Sequence, residues 1–150
     1  MNSEFVQMVN ARFKCYAVGI AQMDVDHLWL MMFIERVRRG ARCGDIKGQF
    51  ESLVSHWLEH TIVEEKLMTE CEYPFMKAHV LEHNKVTEYL CGLQVQLNAL
   101  DEDAILVLSK TLDNPNYELA QFQDILMVHI DHADRQMAEY YLKWKAAHND

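Results

Sequence analysis

The sequence predicts an all-α fold, an up-down-up-down four-helix bundle preceded by an N-terminal arm. Only five Gly and two Pro occur in 150 residues, so long segments rich in good helix formers run uninterrupted. Along these segments apolar residues recur at steps of three and four, which is the spacing of one buried helix face. A chain of this length can bury one sizeable core. We therefore expect a single domain over residues 1–150.

The N-terminal half of the chain divides into an arm and two helices. Residues 1–23 are expected to form the arm, packed on the domain as an extended segment. A first helix is predicted over about 24–39, because Asp24 is a suitable N-cap. A second helix, about 49–71, follows a polar loop that contains three glycines. These two helices form the first antiparallel pair of the bundle.

The C-terminal half begins with a helix break at Tyr73. Pro74 suits the first turn of a helix, so helix three is predicted to start there and to fade near Asn98. Residues 101–113 are either a short helix or an extension of helix three, and we interpret them as a short helical connection. Helix four is then predicted over about 115–145.

Charge and cysteine spacing restrict the class of protein. The formal net charge is −9, from 14 basic and 23 acidic side chains, and it repels nucleic acid and anionic membranes. The longest apolar run, Leu28 to Ile34, is far below the roughly 20 residues that span a bilayer. The four cysteines form no CxxC pair, and no signal peptide is evident. We expect a cytoplasmic protein that neither binds nucleic acid nor inserts into a membrane.

Metal-ligating side chains recur on the inward faces of the predicted helices. Two pairs are spaced four residues apart, so each pair lies on one helix face. The inward His and Glu residues are His27, His60, Glu64, His79, His83 and His129. Asp134 adds a carboxylate, although five residues rotate it about 140° from His129 on a regular α-helix. Five imidazoles and two carboxylates exceed one four-coordinate zinc site and suit two metals that share carboxylates.

These motifs resemble those of the bacterial hemerythrins, in order and in nearly all spacings, from about Val18 to Asp134. The resemblance rests on Asp24-Val-Asp-His27, His60-x-x-x-Glu64-Glu65 with Met68, Tyr73-Pro74, His79-x-x-x-His83 and His129-Ile130-x-x-x-Asp134. It implies two iron ions with a bridging oxo or hydroxo group. One iron would be held by His79, His83 and His129, the other by His27 and His60, with Glu64 and Asp134 bridging. The iron with two His would keep an open position for O2. The spacing from His83 to His129 is longer than in the family, which implies an insertion at about 101–113.

The resemblance also implies an O2 pocket formed by Leu30, Thr61, Leu126 and Ile130. Thr61 departs from the family, which usually has Phe directly after the His of helix two. Its hydroxyl would either face the open iron or bond a backbone carbonyl. Two further polar residues near the ligands are expected to lie outside the ligand set: His56 beside the site or on the surface, and Glu65 as an exposed charge.

The function implied is that of a non-haem di-iron protein that binds O2 reversibly, for oxygen storage, delivery or sensing, and that is not an enzyme. The alternative is a di-iron enzyme acting on peroxide or nitric oxide, or a protein that donates iron for repair. Delivery or signalling would involve a protein partner that the sequence does not identify.

Overall fold

The computed structural model describes residues 14–40, 46–101, 104 and 118–148, and it confirms the predicted all-α bundle. The helices are α1 (Ala21–Gly40), α2 (Ile46–Glu70), α3 (Met76–Ala99), α4 (Glu118–His129), a π-helical segment (Ile130–Asp134) and α5 (Arg135–His148). The last three run on without a break and together form the fourth rod of the bundle. Their apolar faces meet in one core that includes Trp57, Leu90, Phe122 and Met137, all fully buried. Within the described part of the chain, no helix is both long and apolar enough to cross a membrane.

Helix α1 begins at Ala21, three residues earlier than predicted, and Asp24 is not its N-cap. The carboxylate of Asp24 instead accepts hydrogen bonds from the backbone N–H groups of Val18 (2.6 Å) and Gly19 (3.3 Å). Gly19 has φ 91°, a conformation that other residues rarely adopt. Asp24 therefore fixes the end of the arm against the helix that follows it.

The turn between α2 and α3 lies where the Tyr-Pro break predicts it. The N–H of Glu72 donates to the Thr69 carbonyl and that of Tyr73 to the Met68 carbonyl, which together form a Schellman motif. Glu72 has φ 53° in this motif, the position where glycine is usual. Helix α3 starts only at Met76, so the prediction that it starts at Pro74 is wrong: Pro74 and Phe75 form a further turn, in which the N–H of Met76 donates to the Tyr73 carbonyl (3.2 Å).

Helix α3 continues through Gly92 to Ala99, and a Cβ built at Gly92 would meet no atom within 4 Å. At the C-terminal end of α3, Lys47 of α2 donates hydrogen bonds to the carbonyls of Asn98 (3.3 Å) and Leu100 (2.9 Å). This contact places a positive charge at the helix C-terminus. Most of the predicted connection 101–113 lies outside the described residues, as does the predicted start of helix four at 115. Helix four is described from Glu118, and it extends to His148, three residues beyond the predicted end.

Candidate metal centre

All seven side chains predicted as ligands meet in the middle of the bundle. They form two groups in which each residue offers one ligand atom and these atoms lie within 4.8 Å of one another. The first group contains Glu64, His79, His83, His129 and Asp134; the second contains His27, His60, Glu64 and Asp134. Every member is buried, and both carboxylates are fully inaccessible to solvent. Glu64 and Asp134 therefore stand between the two groups and belong to both.

The π-helical segment explains how Asp134 reaches this centre. The N–H of Arg135 donates to the carbonyl of Ile130, five residues earlier, which widens the helical turn. Residues five apart then lie on the same face, and Oδ1 of Asp134 is 2.9 Å from Nε2 of His129. The 140° rotation expected of a regular α-helix does not occur here, because the backbone between His129 and Asp134 is π-helical.

The histidines direct the same ring nitrogen, Nε2, towards the two carboxylates. Around Glu64, the distances to Nε2 are 2.9 Å for His83, 3.4 Å for His79 and 3.6 Å for His60. Around Asp134, they are 2.9 Å for His129, 3.0 Å for His79 and 3.2 Å for His27. Nitrogen and oxygen lone pairs from four helical rods thus converge on one small volume.

The hydrogen bonding of the buried ligand atoms shows whether a cation fits this volume. Among the described residues, several buried ligand atoms lack a hydrogen-bond partner of good geometry: Nε2 of His27, His60, His79 and His129, Oε1 of Glu64 and both carboxylate oxygens of Asp134. A buried polar atom without a partner costs about 1–3 kcal/mol, and such atoms are few in native proteins. Their concentration at one place fits a site whose lone pairs bind metal.

The opposite ring nitrogen, Nδ1, is held from outside the centre in three of the histidines. Nδ1–H of His27 donates to the Tyr16 carbonyl (2.9 Å), that of His83 to Glu65 (3.3 Å) and that of His129 to Glu82 (3.1 Å). A carbonyl or carboxylate oxygen can only accept, so each bond fixes the proton on Nδ1 and leaves the Nε2 lone pair for the centre. Such outer partners typically orient metal-bound histidines.

His60 is held less firmly than these three. Its Nδ1 is 3.9 Å from Oδ2 of Asp26, within ion-pair range but too far for a hydrogen bond. Asp26 itself is buried and accepts a hydrogen bond from Gln22 (3.0 Å). His56 lies on the other side of Asp26, 3.9 Å away, outside both ligand groups. The structure therefore places it beside the centre, as expected.

Electrostatics in the centre favour charged carboxylates and raise the pKa of three histidines, His60, His79 and His129. Burial raises the pKa of Glu64, and so does Asp134, but the facing histidines outweigh both and lower it to about 2. Burial lowers the pKa of His79, but the nearby carboxylates of Asp134 and Glu64 outweigh burial and raise this pKa to about 9. The same balance lowers the pKa of Asp134 well below its usual value and raises that of His129. A bound cation would replace the imidazole protons as the positive partner of these carboxylates.

An aromatic wall closes the centre on one side. The fully buried indole of Trp57 lies with its ring centroid 5.7 Å from those of His60 and His83 and 5.8 Å from that of His129. Its Nε1–H donates to the hydroxyl of Thr87 (2.9 Å), so the indole is held in place. This wall keeps water away from the ligands and strengthens the electrostatic interactions among them.

The four residues predicted to line an O2 pocket are all buried: Leu30, Thr61, Leu126 and Ile130. Leu30 follows His27 by three residues and Leu126 precedes His129 by three, so each lies one helical turn from a ligand. The Thr61 hydroxyl donates to the carbonyl of Leu58 (2.9 Å). The hydroxyl therefore bonds a backbone carbonyl, as in the second alternative, although this carbonyl belongs to its own helix.

The outer partners are the functional residues that sequence reasoning missed. Glu65, expected to be a free surface charge, is 39% exposed but hydrogen-bonds His83. Glu82 is 52% exposed and bonds His129, which lies on another helix. Glu65 and Glu82 each stand directly next to a ligand in sequence, which is the one signal that could have found them. Their partners lie across helix interfaces, and the periodicity of a single helix does not show such contacts.

Fold and centre together define a helical-bundle protein with a buried cation site made of histidines and carboxylates. The chain belongs to the hemerythrin family: the family model described as the hemerythrin HHE cation binding domain matches residues 18–141. This range includes all seven residues of the centre and confirms that the chain resembles the hemerythrin family. Neither the curated proteins nor the solved structures compared with the chain gave a match.

Proposed function

We propose that this protein holds two iron ions in the buried centre and binds O2 reversibly there. The observation that carries the proposal is the division of seven ligand residues into two groups that share Glu64 and Asp134. The first group adds three histidines of its own to the shared pair and the second adds two. An ion in the second group would have one imidazole fewer, and so an available position for a small ligand.

The residues fit iron by their chemistry. Imidazole nitrogen and carboxylate oxygen are donors that suit iron, and neither group contains a sulfur ligand. His79, His83 and His129 would hold one ion, His27 and His60 the other, and the two carboxylates would bridge them. The iron pair would supply the affinity for O2 and the electrons that O2 binding needs. The chain positions the ligands, buries them and provides the negative charge of the two carboxylates.

Three features favour binding over turnover. Histidine-rich coordination neutralises less of the metal charge than a carboxylate-rich site, and it favours reversible binding over oxidation chemistry. Leu30, Leu126 and Ile130, each fully buried, offer no proton donor. The single hydroxyl proton of Thr61 is already donated to the Leu58 carbonyl, so it is not available to a bound ligand. Storage, delivery and sensing of oxygen are all compatible with such a site.

Iron stoichiometry tests the shared centre. Protein reconstituted with excess Fe2+ under anaerobic conditions and desalted should hold two irons per chain. Glu64→Gln removes a charge shared by both groups and should lower both occupancies, whereas His83→Ala should lower that of one ion. Glu70→Gln, an exposed change on the same helix, is the control and should leave two. A wild-type plateau at one iron per chain would contradict the proposal.

Reversibility tests the function itself. The anaerobic ferrous protein should gain a visible charge-transfer band on exposure to O2 and lose it on deoxygenation, over repeated cycles. Peroxide or nitric oxide added in excess should be consumed only in proportion to the iron present. Sustained consumption of either, without a reversible O2 spectrum, would indicate the enzymatic alternative instead.

A further inference from the structure

The end of the N-terminal arm is fastened to the bundle from two directions. We call residues 15–19 the clamped segment. Asp24 of α1 accepts the N–H groups of Val18 and Gly19, as described above. Arg135, the first residue of α5, donates from Nη1 to the carbonyl of Ala17 (3.1 Å) and from Nη2 to that of Cys15 (3.0 Å). The planar guanidinium suits such a double contact, and bonds from a charged donor are stronger than neutral ones.

The residue between the two clamped carbonyls is Tyr16, and its own carbonyl accepts the Nδ1–H of His27. Tyr16 is buried, so the arm at this point is part of the core. The hydrogen bond fixes which nitrogen of His27 carries the proton, and it aims Nε2 at Asp134, 3.2 Å away. A displacement of the clamped segment would therefore release the ring of His27 without moving α1.

The two ligand groups depend on this contact to different degrees. The second group has only His27 and His60 as ligands of its own, and the Nδ1 of His60 has no hydrogen bond of good geometry. The first group has three histidines, two of which are oriented by Glu65 and Glu82. Loss of the arm contact would thus weaken the second group and leave the orientation of the first intact.

We propose that Arg135 is a positioning residue for the second metal: by clamping the carbonyls on either side of Tyr16, it holds His27 in its ligating orientation. The inference rests on the proposed function, since it assumes two metal positions. It adds a role for the arm, whose end becomes part of the metal site although it supplies no ligand. It also links the site to the residue that directly follows the bridging Asp134.

Calorimetric titration of the full metal-free chain with Fe2+ under anaerobic conditions tests the proposal. Wild type should show two binding events. Arg135→Ala should weaken one of them by up to about 10–100-fold, the range typical when a metal-bound histidine loses its outer partner, here the Tyr16 carbonyl, and should leave the other unchanged. His27→Ala identifies which event belongs to the second group. Asp131→Ala removes the other partner of Arg135, at 3.1 Å, and should leave both events at their wild-type affinities.

A second measurement needs no metal at all. In 15N-labelled metal-free protein, the hydrogen-bonded Nδ1 proton of His27 should give a slowly exchanging signal, which Arg135→Ala should abolish. If circular dichroism shows that Arg135→Ala does not fold, Arg135→Gln, which can still donate to one carbonyl, should show a smaller loss of the same kind. Equal weakening of both binding events, or no change in either, would overturn the proposal.

The two readouts separate this proposal from the proposed function. A wild-type protein that binds a single Fe2+ contradicts the two-metal centre, yet the His27 signal still reports whether Arg135 positions the ring. A wild-type protein that binds two Fe2+ ions, together with an Arg135→Ala variant that does the same with unchanged affinities, contradicts only the role of Arg135.

Discussion

Removal of the Glu82 carboxylate should selectively weaken the metal position that has three histidines. Glu82 accepts the Nδ1–H of His129 at 3.1 Å, across the interface between α3 and the fourth rod. It supplies two things, a fixed orientation of the ring and a negative charge that makes Nε2 a better donor to a metal. No other described residue hydrogen-bonds the Nδ1 of His129, so a truncated side chain leaves that ring without its outer partner.

The magnitude follows from the exposure of the carboxylate. Loss of an outer partner typically weakens metal binding by about 10–100-fold, or roughly 1.4–2.7 kcal/mol. Glu82 is 52% exposed, so water screens its charge, and we expect the lower half of that range for Glu82→Ala. Glu82→Gln keeps an acceptor oxygen and removes only the charge. It should therefore fall between wild type and Glu82→Ala.

The assay is anaerobic Fe2+ titration of the metal-free chain, with iron content after desalting as a second readout. Glu88→Ala is the matched control, because it removes one exposed carboxylate from the same helix without touching a histidine. Glu82→Ala and Glu88→Ala change the net charge equally. If both variants weaken Fe2+ binding to the same extent, only overall charge is at work, and the positioning argument is refuted.

Three further predictions concern stability. Glu72→Gly should raise the free energy of unfolding by about 0.5–1 kcal/mol, because Gly accepts φ 53° without the steric cost that a side chain meets; thermal melting should rise by a few degrees, and a fall would refute the strain. Gly92→Ala should stabilise α3 by about 0.5–1 kcal/mol, since an added Cβ meets nothing within 4 Å, whereas the same change at Gly19, with φ +91°, should destabilise. The metal-free protein should lose stability as pH rises. The pKa of His79 is about 9 in the folded state, against 6.5 for an unperturbed histidine. Its contribution to the free energy of unfolding, on the order of 3 kcal/mol, is therefore complete below pH 6.5 and disappears as pH passes 9. Urea unfolding at pH 6, 7.5 and 9 measures this, and an opposite trend in metal-free protein would contradict the raised pKa.

Much of the fold follows from periodicity and helix signals in the sequence. In α2, Phe50, Leu53 and Trp57 follow one another at steps of three and four, the spacing that predicts a buried face, and all three are buried. The predicted helix ends differ from the observed ones by one to three residues. At Pro74 the reason is physical: after the Schellman motif ends at Tyr73, Pro74 and Phe75 form a further turn, closed by a hydrogen bond from the Met76 N–H to the Tyr73 carbonyl, and α3 begins only after it. Local preferences indicate that a turn is near, whereas its hydrogen bonds decide where the helices end.

The residues that meet in the centre could be predicted from the sequence. The partners that orient their rings could not. Pairs four residues apart, such as His79 and His83, lie on one face by helical geometry alone. The spacing of Glu65 and Glu82 did not mark them in this way, because their partners are on other helices. The rotation of each helix about its own axis decides those contacts. The Tyr16 carbonyl is a backbone group, and no residue type could mark it in advance.

Asp134 is the case in which helical geometry argued against the assignment and the family motif argued for it. Regular α-helical spacing places Asp134 about 140° away from His129, facing away from the other ligands. The structure brings both side chains inward by widening a single turn, with a hydrogen bond from Arg135 to Ile130. The same widened turn leads directly into Arg135, whose guanidinium contacts the arm while the preceding carboxylate contacts the centre. In a regular helix with His129 facing the centre, Asp134 and Arg135 would both be rotated away from these positions, so the local departure from α-helical geometry is what places the carboxylate at the metal position and the guanidinium at the segment that orients His27.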